Sequence, residues 1–211
     1  LHGSSAASDV YKRQILALRG DPMKNESTFV PTVGGNAYAL DLIKQINEMN
    51  NGQYLYEETK NSPSNFCIGT AGYPEKHFEA MNLSTDMKHL KKKVDAGAEF
   101  IVTQLFYDNE KFFDFVKKCR EIGIKVPIIP GIKPITKLRH LSFIPKFFHV
   151  NFPESFSSEL EKCKTDEEIK RVGIEWTTAQ CKELVKADIP VIHFYTMGRG
   201  TAVKNIAKEI F

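Results

Sequence analysis

Five short apolar runs recur along this chain, and amphipathic helical stripes separate them. The runs are Ile15-Leu16-Ala17-Leu18, Phe66 to Gly72, Phe100 to Phe106, Pro127 to Ile132 and Pro190 to Tyr195. Continuous apolar strands flanked by helices imply a parallel sheet covered on both faces. The stripes fall at Leu40, Ile43, Ile46 and Met49, at Met87, Leu90, Val94 and Ala98, and at Phe112, Phe113, Val116 and Cys119. A fourth holds Ile169, Val172, Trp176 and Ala179. Their spacing predicts helices over 36–50, from Thr85 or Asp86 as cap, over 110–122 and over 166–187. Thr165-x-x-Glu168 opens the last as a capping box. The expected class is α/β, a (β/α)8 TIM barrel. A complete barrel runs to about 250 residues, so five strands in 211 residues predict a partial one with the first strands missing. Residues 1–14 lack periodicity, a signal-peptide core and a transit-peptide pattern. They are expected to be a non-native, disordered leader before a barrel portion spanning 15–211.

Composition excludes several classes. A formal net charge of +3 is too small for the basic face of a nucleic-acid binder. No apolar run approaches the roughly 20 residues of a membrane helix. Cys67, Cys119, Cys163 and Cys181 contain no CxxC pair, and their scatter favours free thiols in a reducing cytoplasm. No His or Cys stands at zinc-ligand spacing, so no metal is expected. GxGxxG, P-loop and nucleophile-elbow patterns are absent.

Barrel chemistry sits at the C-terminal ends of strands. Four runs end in polar groups: Arg19-Gly20-Asp21, Tyr73 to His77, Thr103-Gln104 and Tyr195 to Arg199. Asp21 is either a turn residue before Pro22 or a carboxylate tuning a bound cofactor. His77 is a loop histidine or a site residue. Lys91-Lys92-Lys93 is a charge run on a helix, and Lys93, beside apolar Leu90 and Val94, is placed to reach over the helix edge toward a diphosphate. Gln104 is the sharpest candidate. A buried amide needs partners, and either backbone or the polar edge of a ring substrate supplies them.

Taken together these segments resemble the flavin-dependent, bacterial type of methylenetetrahydrofolate reductase. The resemblance rests on Ala17-Leu18-Arg19-Gly20-Asp21-Pro22, Gly72-Tyr73-Pro74-Glu75-Lys76-His77 with Glu79-Ala80, and Lys93 to Ala98. It rests also on Thr103-Gln104-Leu105-Phe106-Tyr107-Asp108, Ile129-Pro130-Gly131-Ile132 and His193-Phe194-Tyr195-Thr196. It implies reduction of 5,10-methylenetetrahydrofolate to 5-methyltetrahydrofolate with NAD(P)H, in one-carbon metabolism and methionine biosynthesis. It implies FAD contacts from Arg19, Gly20, Asp21, Ala39, Tyr73, His77, Ala80, Asp86, His89, Lys92 and Lys93. Gln104 would hold the folate pterin, Arg199 would lie near the folate, and Asp21 would act electrostatically. A homo-oligomer is implied for the full-length form. His89, Lys92, His140 and Gly198 depart from the residues common at those places. The glutamate that protonates folate in this family, on its first strand, has no counterpart here, so the chain alone is expected to be inactive. The rival readings are a non-catalytic flavin- or folate-binding fragment and another phosphate-binding barrel enzyme.

Overall fold

The structure, a computed structural model, describes residues 13–23, 26, 28–55 and 62–211. The expected leader lies outside these residues up to position 12. Its last residue, Gln14, already belongs to the first strand. In chain order the elements are β1 (Gln14–Ala17), α1 (Ala39–Asn50), β2 (Cys67–Gly72), α2 (Leu83–Asp95), β3 (Phe100–Leu105), α3 (Asn109–Glu121) and β4 (Ile128–Ile132). Then follow α4 (His140–Phe148), α5 (Glu154–Lys162), α6 (Asp166–Lys186), β5 (His193–Phe194) and α7 (Thr201–Ile210). The strands form one parallel sheet in the order β1-β2-β3-β4-β5. Registers run Gln14↔Cys67 to Ala17↔Thr70 and Gly131↔His193, Ile132↔Phe194. Strand order equals chain order because each parallel step needs a helical crossover, and this is the α/β arrangement of a partial (β/α) barrel.

The described residues fall into two compact units. The first holds residues up to 71 with 87–101 and 124–127; the second holds 72–86, 102–123 and 128–211. In the first, Ala17, Ile43, Ile46, Phe66, Ile68 and Ala98 form the core. Ile43 and Ile46 are the buried stripe of α1. Gly97, at φ 117°, makes the left-handed turn into β3. In the second, Leu105, Tyr107, Ile135, Ile144, Val150, Phe156, Leu160 and Ile169 pack together. Phe156 stacks on Trp176 with centroids 4.4 Å apart.

Several expectations need correcting. β1 is not a continuously buried strand: Leu16 is 38 % and Leu18 50 % exposed. Among the described residues β2 is its one strand neighbour, and it packs Ile15 and Ala17 against the core and turns the alternate leucines outward. The cap of α2 is neither Thr85 nor Asp86. Asn82 Oδ1 accepts from Thr85 N at 2.8 Å, so both expected caps lie in the first turn. β5 shrinks to two residues, and α4, α5 and α7 were not legible as periodic stripes. The α6 capping box stands: Thr165 Oγ1 accepts from Glu168 N at 3.2 Å, and the Glu168 carboxylate accepts from Thr165 N at 3.1 Å. All four cysteines are free thiols. Burial pushes Cys119 and Cys181 up to about 12. Among the described residues no helix is long and apolar enough to cross a membrane.

Candidate functional site

The C-terminal ends of β3, β4 and β5, all in the second unit, are tied by cross-strand hydrogen bonds. Thr103 is fully buried, and its Oγ1 accepts from Gly131 N at 2.9 Å. Tyr195, just past β5, donates its hydroxyl to Thr103 O at 2.9 Å and its N–H to Ile132 O at 2.9 Å. Its ring lies over Gly131. A Cβ added there would stand 2.6 Å from the ring and 2.2 Å from Thr103 O. Glycine is required because two other chain segments occupy the space of a side chain. Burial pushes the Tyr195 phenol up to about 12, so at neutral pH it stays a donor.

Gln104 follows Thr103 and is half-buried. Its Oε1 accepts from Leu105 N at 2.9 Å. Among the described residues its amide NH2 has no hydrogen-bond acceptor. Local backbone therefore satisfies half of the side chain, and the donor half is left for something else.

The loop that follows is fixed to α6. Trp176 Nε1 donates to Tyr107 O at 3.1 Å and Gln180 Nε2 to Phe106 O at 3.1 Å. Asn109 Nδ2 donates to Gln180 O and to the Glu183 carboxylate. Asp108 caps α3 by accepting from Glu110 N. Asp108 thus has a structural task, while Gln104 has none beyond its own turn.

The loop after β2 is equally organised. Tyr73 meets His77 edge-on at 4.6 Å, His77 stacks on Phe78 at 4.9 Å, and Phe78 stacks on His149 at 4.8 Å. His77 N donates to the Asp86 carboxylate at 2.9 Å. His77 Nδ1 accepts from Glu79 N at 3.2 Å, which leaves Nε2 as the protonated, donating nitrogen of the neutral ring. Lys76, at φ 103°, donates to the carbonyls of His77, Phe78 and Ala80. Glu75 accepts from Asn151 N and Nδ2. The structure thus brings Tyr73, His77, Ala80 and Asp86 together in one knot. Arg199 lies on the turn after Tyr195, exposed, its N–H on Thr196 O.

In the first unit, Arg19 lies 5.3 Å above the Phe29 ring, and Gly20 faces the same ring. Asp21 is exposed, and Ala39 is the first residue of α1. His89 and Lys92 are exposed on α2. Lys93 is half-buried and donates to Ala71 O at 2.7 Å. Its ammonium is thereby held at the end of β2, with capacity for more than one acceptor.

Sequence reading passed over Lys133 and Gly131. Lys133 is 8 % exposed, and burial pulls its pKa down. His140 is pulled down to about 4, first by burial and then by the charges of Lys133, Arg139 and Lys137, with Asp166 opposing. Its Nδ1 accepts from Thr136 N at 3.3 Å, a bond that only the neutral ring makes.

A parallel α/β sheet with its polar groups gathered at strand C-terminal ends defines a protein of the (β/α)-barrel class. Comparison with known proteins gives the family. A family profile described as methylenetetrahydrofolate reductase matches residues 5–210, and the chain belongs to that family. It is 42% identical over 195 residues to methylenetetrahydrofolate reductase (NADH) 1 of Arabidopsis thaliana, covering 88% of this chain and 31% of the relative. It is 39% identical over 199 residues to methylenetetrahydrofolate reductase 1 of Schizosaccharomyces pombe, covering 94% and 31%. A Caenorhabditis elegans protein described as a probable methylenetetrahydrofolate reductase (NADPH) is 39% identical over 201 residues, covering 94% and 28%. The chain thus spans a little under a third of the length of these relatives.

Proposed function

We propose that this chain serves the flavin-dependent reduction of 5,10-methylenetetrahydrofolate to 5-methyltetrahydrofolate, with NADH or NADPH as reductant, on the route to methionine. The observation that carries the reading is Gln104: a half-buried amide at the C-terminal end of β3 whose NH2 group has no partner among the described residues. Ring substrates with oxygen and nitrogen acceptors on one edge suit such a donor. The family supports a methylenetetrahydrofolate substrate and a nicotinamide co-substrate.

The residues present fit FAD. His77 Nε2–H is the donating side of the ring, since Nδ1 accepts from Glu79 N. The Lys93 ammonium and the Arg19 guanidinium supply positive charge for a diphosphate. In the second unit Tyr73, His77, Ala80 and Asp86 would contact FAD. In the first, Arg19, Gly20, Asp21, Ala39, His89, Lys92 and Lys93 would do so. When bound, FAD supplies the hydride chemistry between nicotinamide and folate. The protein's own residues hold and orient. Gln104 fixes the pterin edge through its amide hydrogens, and Arg199 pairs with the folate. Asp86 fixes the His77 backbone and so the ring's direction. Asp21 contributes a negative field beside the reacting rings.

The test is absorbance and turnover of a purified form that carries the family's first strands ahead of this chain. A yellow protein that oxidises NADH or NADPH only when methylenetetrahydrofolate is present supports the reading. A colourless protein that binds neither FAD nor folate contradicts it and favours another phosphate-binding barrel enzyme. Flavin binding without turnover favours the non-catalytic rival.

A further inference from the structure

A buried lysine without a partner stands one residue past the end of β4. Lys133 is 8 % exposed, and no carboxylate or carbonyl among the described residues accepts from its ammonium. The ammonium nitrogen is not among the partnerless side-chain atoms sealed from solvent, so the stem is buried while the charged head keeps an opening to the surface. The groups that act on its surroundings do not compensate. Lys137 and Arg139 add like charge beside His140, and Asp166 is the one opposing group there. His140 itself is held neutral with its Nδ1 on Thr136 N. The fold has therefore placed a cation that no described residue engages on a largely buried stem, with its head open to the surface.

Its position says what it is for. Residues two apart along extended chain share a face, so Lys133 continues the face of Gly131. That is the face on which Tyr195 lies, its hydroxyl on Thr103 O. The β4–β5 ladder closes at Ile132, whose carbonyl takes Tyr195 N. Lys133 is the next residue, at the strand end where ligands of this fold are held. Two unused donor groups then belong to the same strand-end layer, the Gln104 NH2 on β3 and the Lys133 ammonium on β4. Donors without protein acceptors call for a ligand edge that offers acceptors.

We propose that Lys133 is a ligand-binding residue whose ammonium donates to an oxygen acceptor of the folate, either a ring carbonyl or a tail carboxylate, at the end of β4 beside the Tyr195 ring. The inference rests on the folate reading above and deepens it.

Isothermal titration of the purified protein and its Lys133→Met variant with 5-methyltetrahydrofolate decides it, with FAD affinity and the melting temperature measured in parallel. Losing a charge-assisted hydrogen bond should weaken folate binding by about tenfold or more. FAD affinity should change less than about twofold, a shift within ordinary substitution scatter. The melting temperature should hold or rise, since methionine keeps most of the buried stem and removes only the charged head; binding lost with stability kept marks a functional residue. A folate whose tail carboxylates are amidated separates the two sources of the acceptor. A gap between wild type and variant that persists identifies the ring carbonyl, and one that closes identifies the tail. Equal folate affinity in both proteins overturns the inference, as does a loss confined to FAD or a fall in melting temperature with folate binding intact. A wild-type protein that binds no folate at all overturns instead the functional reading beneath it.

Discussion

The C-terminal ends of β1 and β3 are built in opposite ways. At β3, Thr103 is fully buried and bonded to β4, Tyr195 reaches in from β5, and the following loop is pinned to α6 by Trp176 and Gln180. At β1, Leu16 and Leu18 are exposed, Asp21 is exposed, and Arg19 and Gly20 face the ring of Phe29. A strand with neighbours on both sides can fix a side chain from several directions, whereas an end strand fixes it from one. Positional precision at β3 is thus a property of the sheet, and the residues at β1 depend more on whatever binds them.

That contrast can be broken by substitution. The largest effect is expected at Gly131→Ala, where the new methyl meets Thr103 O and the Tyr195 ring. Overpacking against backbone should cost about 3 kcal/mol of stability in urea unfolding. A loss under about 0.5 kcal/mol, the level of an ordinary surface change, would mean that the three strand ends are loosely coupled.

Thr103→Val comes next. It keeps the shape and leaves Gly131 N–H buried without its partner, at a cost of about 1–3 kcal/mol. At β1 the account expects little: Leu18→Thr and Asp21→Asn should each change stability by less than about 0.5 kcal/mol. Asp21→Asn should leave FAD bound and slow folate reduction, because it removes a charge and keeps a shape. Protein purified without FAD after this change would show that Asp21 serves assembly.

The smallest effect concerns pH. His140 has its folded pKa near 4, below the ordinary 6.5. As pH falls through that window the unfolded chain takes up a proton that the folded chain refuses, so stability falls and the loss is complete below about 4. His140→Gln removes this contribution. Its stability should decline less steeply than wild type between those limits, and parallel profiles would remove the group from the account.

Local signals in the sequence were accurate where one element decides the outcome. The capping box at Thr165 and Glu168 and the buried stripe of α1 depend on neighbours three and four residues away. The polar strand ends were legible because apolar runs stop abruptly at Arg19, Tyr73 and Gln104. What stayed hidden depends on distant partners. Pro190 to Ile192 read as strand, but pairing begins only at His193. Asp86 read as a cap, but its carboxylate is engaged by His77 N. α4 carries Pro145 inside it and spans only nine residues, too short and too interrupted for a clear stripe. A lysine after an apolar run reads as a solvated residue, and the burial of Lys133 becomes visible only once β4 and β5 are paired.

The central claim is that the end of β3 holds the folate through Gln104. Stopped-flow measurement of the two half-reactions of Gln104→Ala, in the complete enzyme with the family's first strands present, tests it most directly. Reduction of the flavin by nicotinamide should keep its rate to within about twofold, while transfer to methylenetetrahydrofolate should fall by about tenfold to a hundredfold, the kinetic equivalent of one lost hydrogen bond of about 1–3 kcal/mol. Equal losses in both half-reactions would make Gln104 a structural residue and contradict the account.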